Sequence, residues 1–426
     1  MKWEDFYKLL IYQDPFLIGG IFILILSFLF LLYKKNIFYI FDPLNLMILN
    51  LSSCLTVIIY LVLKKKIYLY SFFQLFAINI TFIFSFKFFL KLKKRRLIFS
   101  HLKDKKFFKI FFILHSIIFY SILFIYLKEI GLQALKNKMT VFSGMGGLRY
   151  ISLIIFPGQL ILIILKREMY KKKNKLDFLI LGIILFLFLT SGGRIAIVFY
   201  IFYFNYIYFI LYKIKISQKF LKFFKHQKKM IFISALGIIL LFGITQNVGI
   251  HELDVIMKKI YFRIMSSGDI YYMAYPSKII DKIKNITIKE YYLNSIFIPI
   301  LRRFGYEMKI YGYEIIKYLY SIEKPYMGPN NRFDVLLQSN IGFFGIFISI
   351  ITAYIIAFFR QVRTSNFILI YIIGILFVNS ESMVTDFTLF ANFIIGLFLV
   401  IPIVYVSSLF LLNTLMIKNN YMKKLN

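Results

Sequence analysis

The chain has a single cysteine, Cys54, so it can form neither an internal disulfide framework nor a cysteine-based metal site. Charge is also scarce. Charged residues make up 17% of the 426 residues, against about 25% in an ordinary soluble domain. The sequence shows no metal-ligand spacing, phosphate-cradling glycine loop or Ser-His-Asp arrangement, so the common signatures of soluble enzymes are missing. It shows no internal repeat and no low-complexity linker. No cleavable leader is expected: the first apolar run follows Glu4, Asp5 and Asp14 and ends in Lys34 and Lys35, not in a small-residue cleavage site.

What is present is apolar surface. Hydrophobic residues account for 60% of the chain and aromatics for 20%, in runs too long for core strands. The formal net charge of +34 would suggest nucleic acid in a soluble protein. Here Lys and Arg stand mostly between the apolar runs, where membrane topology requires them, so no nucleic-acid partner is expected. A spanning helix needs about 20 mostly apolar residues. The runs near 16–33, 44–63, 67–90, 107–127, 150–165, 177–191, 194–212, 230–246, 339–359, 366–380 and 387–411 meet that need. The expected fold is therefore an all-α polytopic membrane protein with about eleven spans (ten to twelve) and one large external loop containing short helices. The expected organisation is a bundle over 1–246, a loop over 247–338, and a second bundle with a short tail over 339–426.

The basic segments around 91–106, 166–175, 213–229, 360–363 and 418–424 alternate correctly with these spans if all are cytoplasmic. This places the N-terminus outside and the C-terminus inside. Lys64 to Lys66 is the exception, left outside by the scheme.

Ionisable groups in or beside a membrane are costly and mark candidate sites. Thr190-Ser191-Gly192-Gly193-Arg194 joins two apolar runs. Its free N–H groups and guanidinium suit an anion, or Arg194 snorkels beside an ordinary turn. Arg263 to Asp269, followed by Tyr271, offers a guanidinium for phosphate and aromatic faces for sugar rings. It also reads as an amphipathic helix on the membrane surface. Arg302 and Arg303 precede Tyr306, Glu307, Tyr313 and Glu314. They could hold a pyrophosphate beside a general base, or form a solvated basic face.

The most distinctive segment is Gly328-Pro329-Asn330-Asn331-Arg332-Phe333-Asp334, leading to Gln338, Asn340, Gly342 and Gly345. Pro and Asn make a turn. Asp334 and Gln338 share a helix face, and the glycines allow close helix contact. The plain alternative is a helix start with packing glycines. His251 begins the large loop as a possible base. His115, inside a span, is expected to hydrogen-bond a neighbour, and Asp42 beside Pro43 to cap a helix.

The bundle, the Ser191-Gly192-Gly193-Arg194 turn, the single large loop and the run from Gly328-Pro329-Asn330 to Asn340-Ile341-Gly342-Phe343-Phe344-Gly345 resemble the O-antigen and capsular repeat-unit polymerases of the Wzy type. The resemblance implies transfer of a growing chain from undecaprenyl pyrophosphate to an incoming lipid-linked repeat unit. The site would lie at the outer face of a bacterial cytoplasmic membrane. It implies no cofactor: neither nucleotide sugar nor metal. The implied partners are the lipid-linked oligosaccharide, the bilayer, and a chain-length regulator and flippase of the same pathway.

In this reading Arg194 is the first choice to stabilise the departing pyrophosphate, with Arg263 and Arg332 next. Glu307, Glu314, Asp334 and His251 are candidate bases. Asp269, Tyr271, Arg302, Arg303, Tyr306, Tyr313, Asn330, Asn331 and Asn340 are candidate substrate contacts. A polysaccharide ligase shares this plan and differs in acceptor. A lipid-linked oligosaccharide flippase is the reading from another class, although transporters usually show repeated halves.

Overall fold

The computed structural model describes residues 3–38, 42–92, 96–97, 105–130, 147–170, 179–184, 201–203, 206–207, 253–283, 287–301, 311–321, 332–364 and 366–425, with the single positions 177, 304 and 329. Among them, seven helical stretches are long and apolar enough to cross a membrane: Pro15–Asn36, Pro43–Leu63, Leu69–Lys91, Lys105–Ile125, Tyr150–Arg167, Phe333–Gln361 and Phe387–Leu415. The all-α membrane class follows. The expected run at 366–380 is a shorter apolar helix, Phe367–Val378. The expected span at 230–246 and most of those at 177–191 and 194–212 lie outside the described residues.

The order begins with a short helix α1 (Trp3–Lys8), followed by α2 (Pro15–Tyr33), α3 (Pro43–Leu63) and α4 (Leu69–Lys91). A two-residue strand β1 (Arg96–Leu97) precedes α5 (Lys105–Ile130) and α6 (Gly147–Tyr170). Among the described residues five short helices follow in the expected loop region: α7 (Leu253–Met265), α8 (Asp269–Ala274), α9 (Ile279–Lys282), α10 (Ile288–Leu301) and α11 (Tyr311–Tyr320). The chain then runs through α12 (Phe333–Ile341), α13 (Gly345–Gln361), β2 (Arg363–Thr364), α14 (Phe367–Val378), α15 (Ser382–Thr385) and the long α16 (Phe387–Leu425).

Local chemistry fixes the starts of several helices. Pro15 and Pro43 sit in the first turn, where no N–H is needed. Asp42 caps α3 by accepting from Leu44 N at 2.9 Å. Asn366 caps α14 by accepting from the N–H groups of Ile368 and Leu369.

Helices in lipid associate through close packing and hydrogen bonds rather than through water exclusion. The contacts here have that character. Ser349 of α13 donates to Ile78 O of α4 at 2.8 Å. A Cβ on Gly345 would lie 2.8 Å from Leu337 Cβ and 2.9 Å from Ile78 Cδ1, so the absent side chain is what lets three segments meet. His115 of α5 joins Gln159 of α6 at 2.7 Å and Tyr371 of α14 at 3.0 Å. Gln159 Nε2 donates to Ser116 Oγ, so its oxygen accepts from His115 Nδ1. His115 Nδ1 therefore carries a proton.

Basic residues around 96–105, 166–170 and 360–363 gather at one end. Arg360 closes α13 by pairing both guanidinium NH₂ groups with Asp42, at 2.7 and 2.9 Å, and by donating to Asn36 O at 3.0 Å. β1 pairs in parallel with β2, matching Arg96 to Arg363. Lys166 pairs with Asp177 at 2.8 Å, and Tyr170 donates to Lys105 O. At the opposite end Lys64 pairs with Asp14 at 3.1 Å, and Tyr60 donates to Asp14 at 2.6 Å. The hydrogen bond from Tyr60, then that from Lys64, holds the Asp14 carboxyl below the usual carboxylate value.

Register along α4 reveals a reversal in the stretch that length and hydropathy would count as one span over Phe333–Gln361. Along α12, Phe333 packs on Phe82, Asp334 bonds Asn79, Gln338 bonds Gln74, and Phe343 just beyond packs on Tyr70. The α4 numbers fall as the α12 numbers rise, so α12 runs antiparallel to α4. Along α13, Ser349 meets Ile78, Tyr354 meets Phe89 and Gln361 meets Leu92, so α13 runs parallel to α4. The turn between them contains Gly342, whose φ of +57° favours glycine.

Candidate functional site

Three chain reversals meet well inside the bundle. The first is the turn Ser266–Gly268 between α7 and α8. Ser53 of α3 donates to Ile264 O at 2.7 Å, Cys54 to Ser267 O at 3.2 Å, and Ser267 to Asn50 Oδ1 at 2.6 Å. Asn50, Ser53 and Cys54 lie roughly ten residues or more before the end of α3, a depth of about 15–20 Å at 1.5 Å per residue. A Cβ on Gly268 would sit 2.5 Å from Val57 Cγ2 and 3.1 Å from Ser53 O, so only glycine lets the turn seat this closely. Part of the expected external loop thus inserts between helices. Non-helical backbone at such depth is tolerated where protein buries it.

The second reversal is the start of α12, with Arg332 and Asp334 beside Asn79. Asn79 stands roughly ten residues into α4, again about 15 Å from that helix's start. The third follows α14. Twelve residues cover only about 18 Å, and the chain then turns through Asn379, Ser380 and Glu381 before α15 and α16. Asn50 Nδ2 donates to Glu381 Oε1 and ties this turn to the first one.

The polar groups at this junction are buried: Arg332 is 2% exposed, Asp334 0%, Asn79 0%, Asp269 5% and Glu381 7%. Asp334 Oδ2 accepts from Tyr271 and from Asn79, both at 2.6 Å. Asp334 Oδ1 lies 3.8 Å from Arg332 Nε, an ion pair too long to be a hydrogen bond. Among the described residues none of the three guanidinium nitrogens, nor Asp334 Oδ1, nor Asn79 Oδ1, has a hydrogen-bond partner. A second layer surrounds them. Tyr275 donates to Gln338 at 2.8 Å, and Gln338 to Gln74 at 2.9 Å. Burial, followed by the Asp334 charge, pushes the Tyr271 phenol well above its ordinary value, so it remains a donor. Burial raises the Glu381 carboxyl, an effect that Arg332 and then Asn50 oppose.

The sequence-derived candidates separate into groups. Arg332, Asp334 and Tyr271 come together, with Asp269 at the first residue of α8. Asn340 faces α11, donating to Tyr311 Oη at 3.1 Å and to Leu336 O at 2.9 Å. The side chain of Arg263 is exposed. Glu314 pairs with Lys317 at 2.8 Å on α11, and Tyr313 is half-buried. Arg194, His251, Arg302, Arg303, Tyr306, Glu307, Asn330 and Asn331 lie outside the described residues.

Sequence reasoning missed Asn50, Asn79 and Glu381. Asn379-Ser380-Glu381-Ser382, four polar residues between two apolar runs, was the available signal for Glu381. The two asparagines are single amides inside spans and give none.

Among the described residues the junction offers a fixed cation with unspent donors, a carboxylate with one unspent oxygen, and an unspent amide oxygen. An anion that also carries hydroxyl groups would satisfy all three. Comparisons with family models, with curated proteins and with solved structures found no match.

Proposed function

We propose that this chain polymerises polyprenyl-pyrophosphate-linked oligosaccharide repeat units by glycosyl transfer at the outer face of a bacterial cytoplasmic membrane. The observation that carries the reading is Arg332: a buried guanidinium whose three nitrogens have no hydrogen-bond partner among the described residues. A buried charge without hydrogen bonds is costly. A guanidinium is suited to grip phosphate oxygens in pairs.

In the proposed step the acceptor hydroxyl oxygen bonds to the anomeric carbon of the growing chain. The bond from that carbon to the pyrophosphate oxygen breaks, and the electron pair leaves with polyprenyl pyrophosphate. Arg332 stabilises the charge that collects on the leaving group. Asp334, through its unspent oxygen, takes the hydroxyl proton. Tyr271 and Asn79 hold the carboxylate in place. Arg194 remains a proposed second cation.

The clustering of basic segments around Arg360 supports a cytoplasmic placement of that end. The N-terminus would then face outward, and the C-terminus inward.

One observation favours a second reading. Half-helices that break at mid-depth are also how transporters build substrate sites. A flippase for lipid-linked units would use the same anion grip. The surface polysaccharide of a deletion strain, profiled on a gel, separates the two. With the polymerase lost, single repeat units still reach the surface and the ladder disappears. Loss of both the ladder and the single unit would favour the flippase. Complementation with Arg332→Met should leave the ladder missing, and a restored ladder would count against the site.

A further inference from the structure

We infer that Asn79, through its amide oxygen, reads a sugar hydroxyl beside the anionic group held by Arg332, so that this site selects a sugar phosphate over a bare lipid pyrophosphate. The inference rests on the reading of Arg332 as an anion site and adds a specificity-determining residue, Asn79 of α4.

The orientation of the Asn79 amide is fixed. Its nitrogen donates to Leu75 O at 2.9 Å and to Asp334 Oδ2 at 2.6 Å. Both partners are acceptors, so the amide cannot be turned over without losing both bonds. Asn79 Oδ1 is therefore an acceptor, buried and without a partner among the described residues. Asp334 shows the same pattern: Oδ2 is filled by two donors, while Oδ1 has none among the described residues. The Asn79–Asp334 hydrogen bond keeps the two groups side by side, with Arg332 Nε 3.8 Å from Asp334 Oδ1.

A bare anion answers only half of this pattern. Its oxygens would satisfy the Arg332 N–H groups, yet they would stand near the carboxylate and offer no donor to either acceptor. A hydroxyl group offers that donor. A sugar joined to a phosphate carries acceptor oxygens and hydroxyl donors a few ångströms apart, and so matches both halves. A site built to bond a hydroxyl rejects ligands lacking it, because its own buried acceptors are then left unpaired.

The test uses the full chain in detergent micelles and two probes: undecaprenyl pyrophosphate, and the same lipid carrying one hexose. Wild type should bind the hexose-bearing lipid about ten- to a hundredfold more tightly, the ratio set by satisfying a buried acceptor that is otherwise left unpaired. Asn79→Leu, or Asn79→Ala if the larger residue prevents folding, should bring that ratio close to one, because the loss falls mainly on the hexose-bearing lipid. Arg332→Met should weaken both probes. Equal affinities in wild type, or a preference that survives both Asn79 variants, would overturn the inference while leaving the anion site standing. Binding of neither probe, or binding indifferent to Arg332, would overturn the anion site and the inference with it.

Discussion

Two buried arginines, alike in exposure, should respond in opposite ways to the same substitution. Arg360 spends both terminal NH₂ groups, with two bonds to Asp42 and one to Asn36 O, and only its Nε has no partner among the described residues; its charge lies 4.8 Å from the ring centre of Phe38 and 5.1 Å from that of Phe377. Arg360→Met strips two charge-assisted hydrogen bonds from the buried Asp42, a change that costs about 3–5 kcal/mol. Arg332 has no hydrogen bond among the described residues, only the loose ion pair with Asp334 and an attraction to Glu381. At 3.8 Å the ion-pair attraction is about 4 kcal/mol at an effective dielectric near 20. Desolvation of a buried ion takes back several kcal/mol, and the unmade hydrogen bonds cost about 1–3 kcal/mol for each group left unsatisfied. Asp334 keeps its donors Tyr271 and Asn79 when Arg332 is removed. Arg332→Met should therefore change stability by less than about 1 kcal/mol, or raise it, while abolishing polymer formation.

The chain carries its own reporter for this comparison. Cys54 is its single cysteine and is buried, so a thiol-reactive dye reacts only as the bundle opens. Labelling should reach its midpoint at a clearly lower temperature in Arg360→Met than in wild type, and at the wild-type temperature or above in Arg332→Met. Equal destabilisation by the two variants would refute the reasoning. It would mean that Arg332 is a structural ion like Arg360.

Three further outcomes follow from the same geometry. Gly268→Ala should destabilise by about 1–3 kcal/mol through overpacking against Val57, and Val57→Ala should recover part of the loss when the two are combined, read by the same labelling. Glu381 has a raised carboxyl value, chiefly from burial. Its favourable contribution is fully present below the unfolded value of about 4.5 and is lost as pH rises through the folded value. Glu381→Gln should flatten that pH dependence of thermal stability, and an unchanged slope would show that burial does not govern the group. Tyr271→Phe removes one of two donors to Asp334. It should lower polymer yield at least about tenfold, with the temperature of Cys54 labelling little changed.

The membrane class was legible because lipid demands long uninterrupted apolar helices, and runs such as Phe16 to Tyr33 meet no competing explanation. The Arg332–Asp334 pair was legible because a Gly-Pro-Asn-Asn turn followed by two charges at the edge of a span is costly without a use. Its depth was not. The stretch from Phe333 to Gln361 is apolar on both sides of Gly342, so hydropathy alone cannot distinguish a span from a half-helix that rises and folds back. Only the register against α4 does so.

Asn79 and Asn50 were illegible for a related reason. One amide among Phe, Ile and Leu carries no pattern until the neighbouring helix supplies Asp334 or Glu381. Tyr271 was expected to stack on a sugar face. Its buried hydroxyl instead holds Asp334, a role set by a contact between residues 63 positions apart in the chain.

Reconstitution provides the most direct test of the proposed activity. Purified protein in proteoliposomes would be supplied with radiolabelled undecaprenyl-pyrophosphate-linked repeat units, and the products separated by length. The account predicts a ladder of multi-unit glycans, release of free undecaprenyl pyrophosphate, and loss of both with Arg332→Met. Movement of intact single units across the bilayer, with no product longer than one unit, would contradict it.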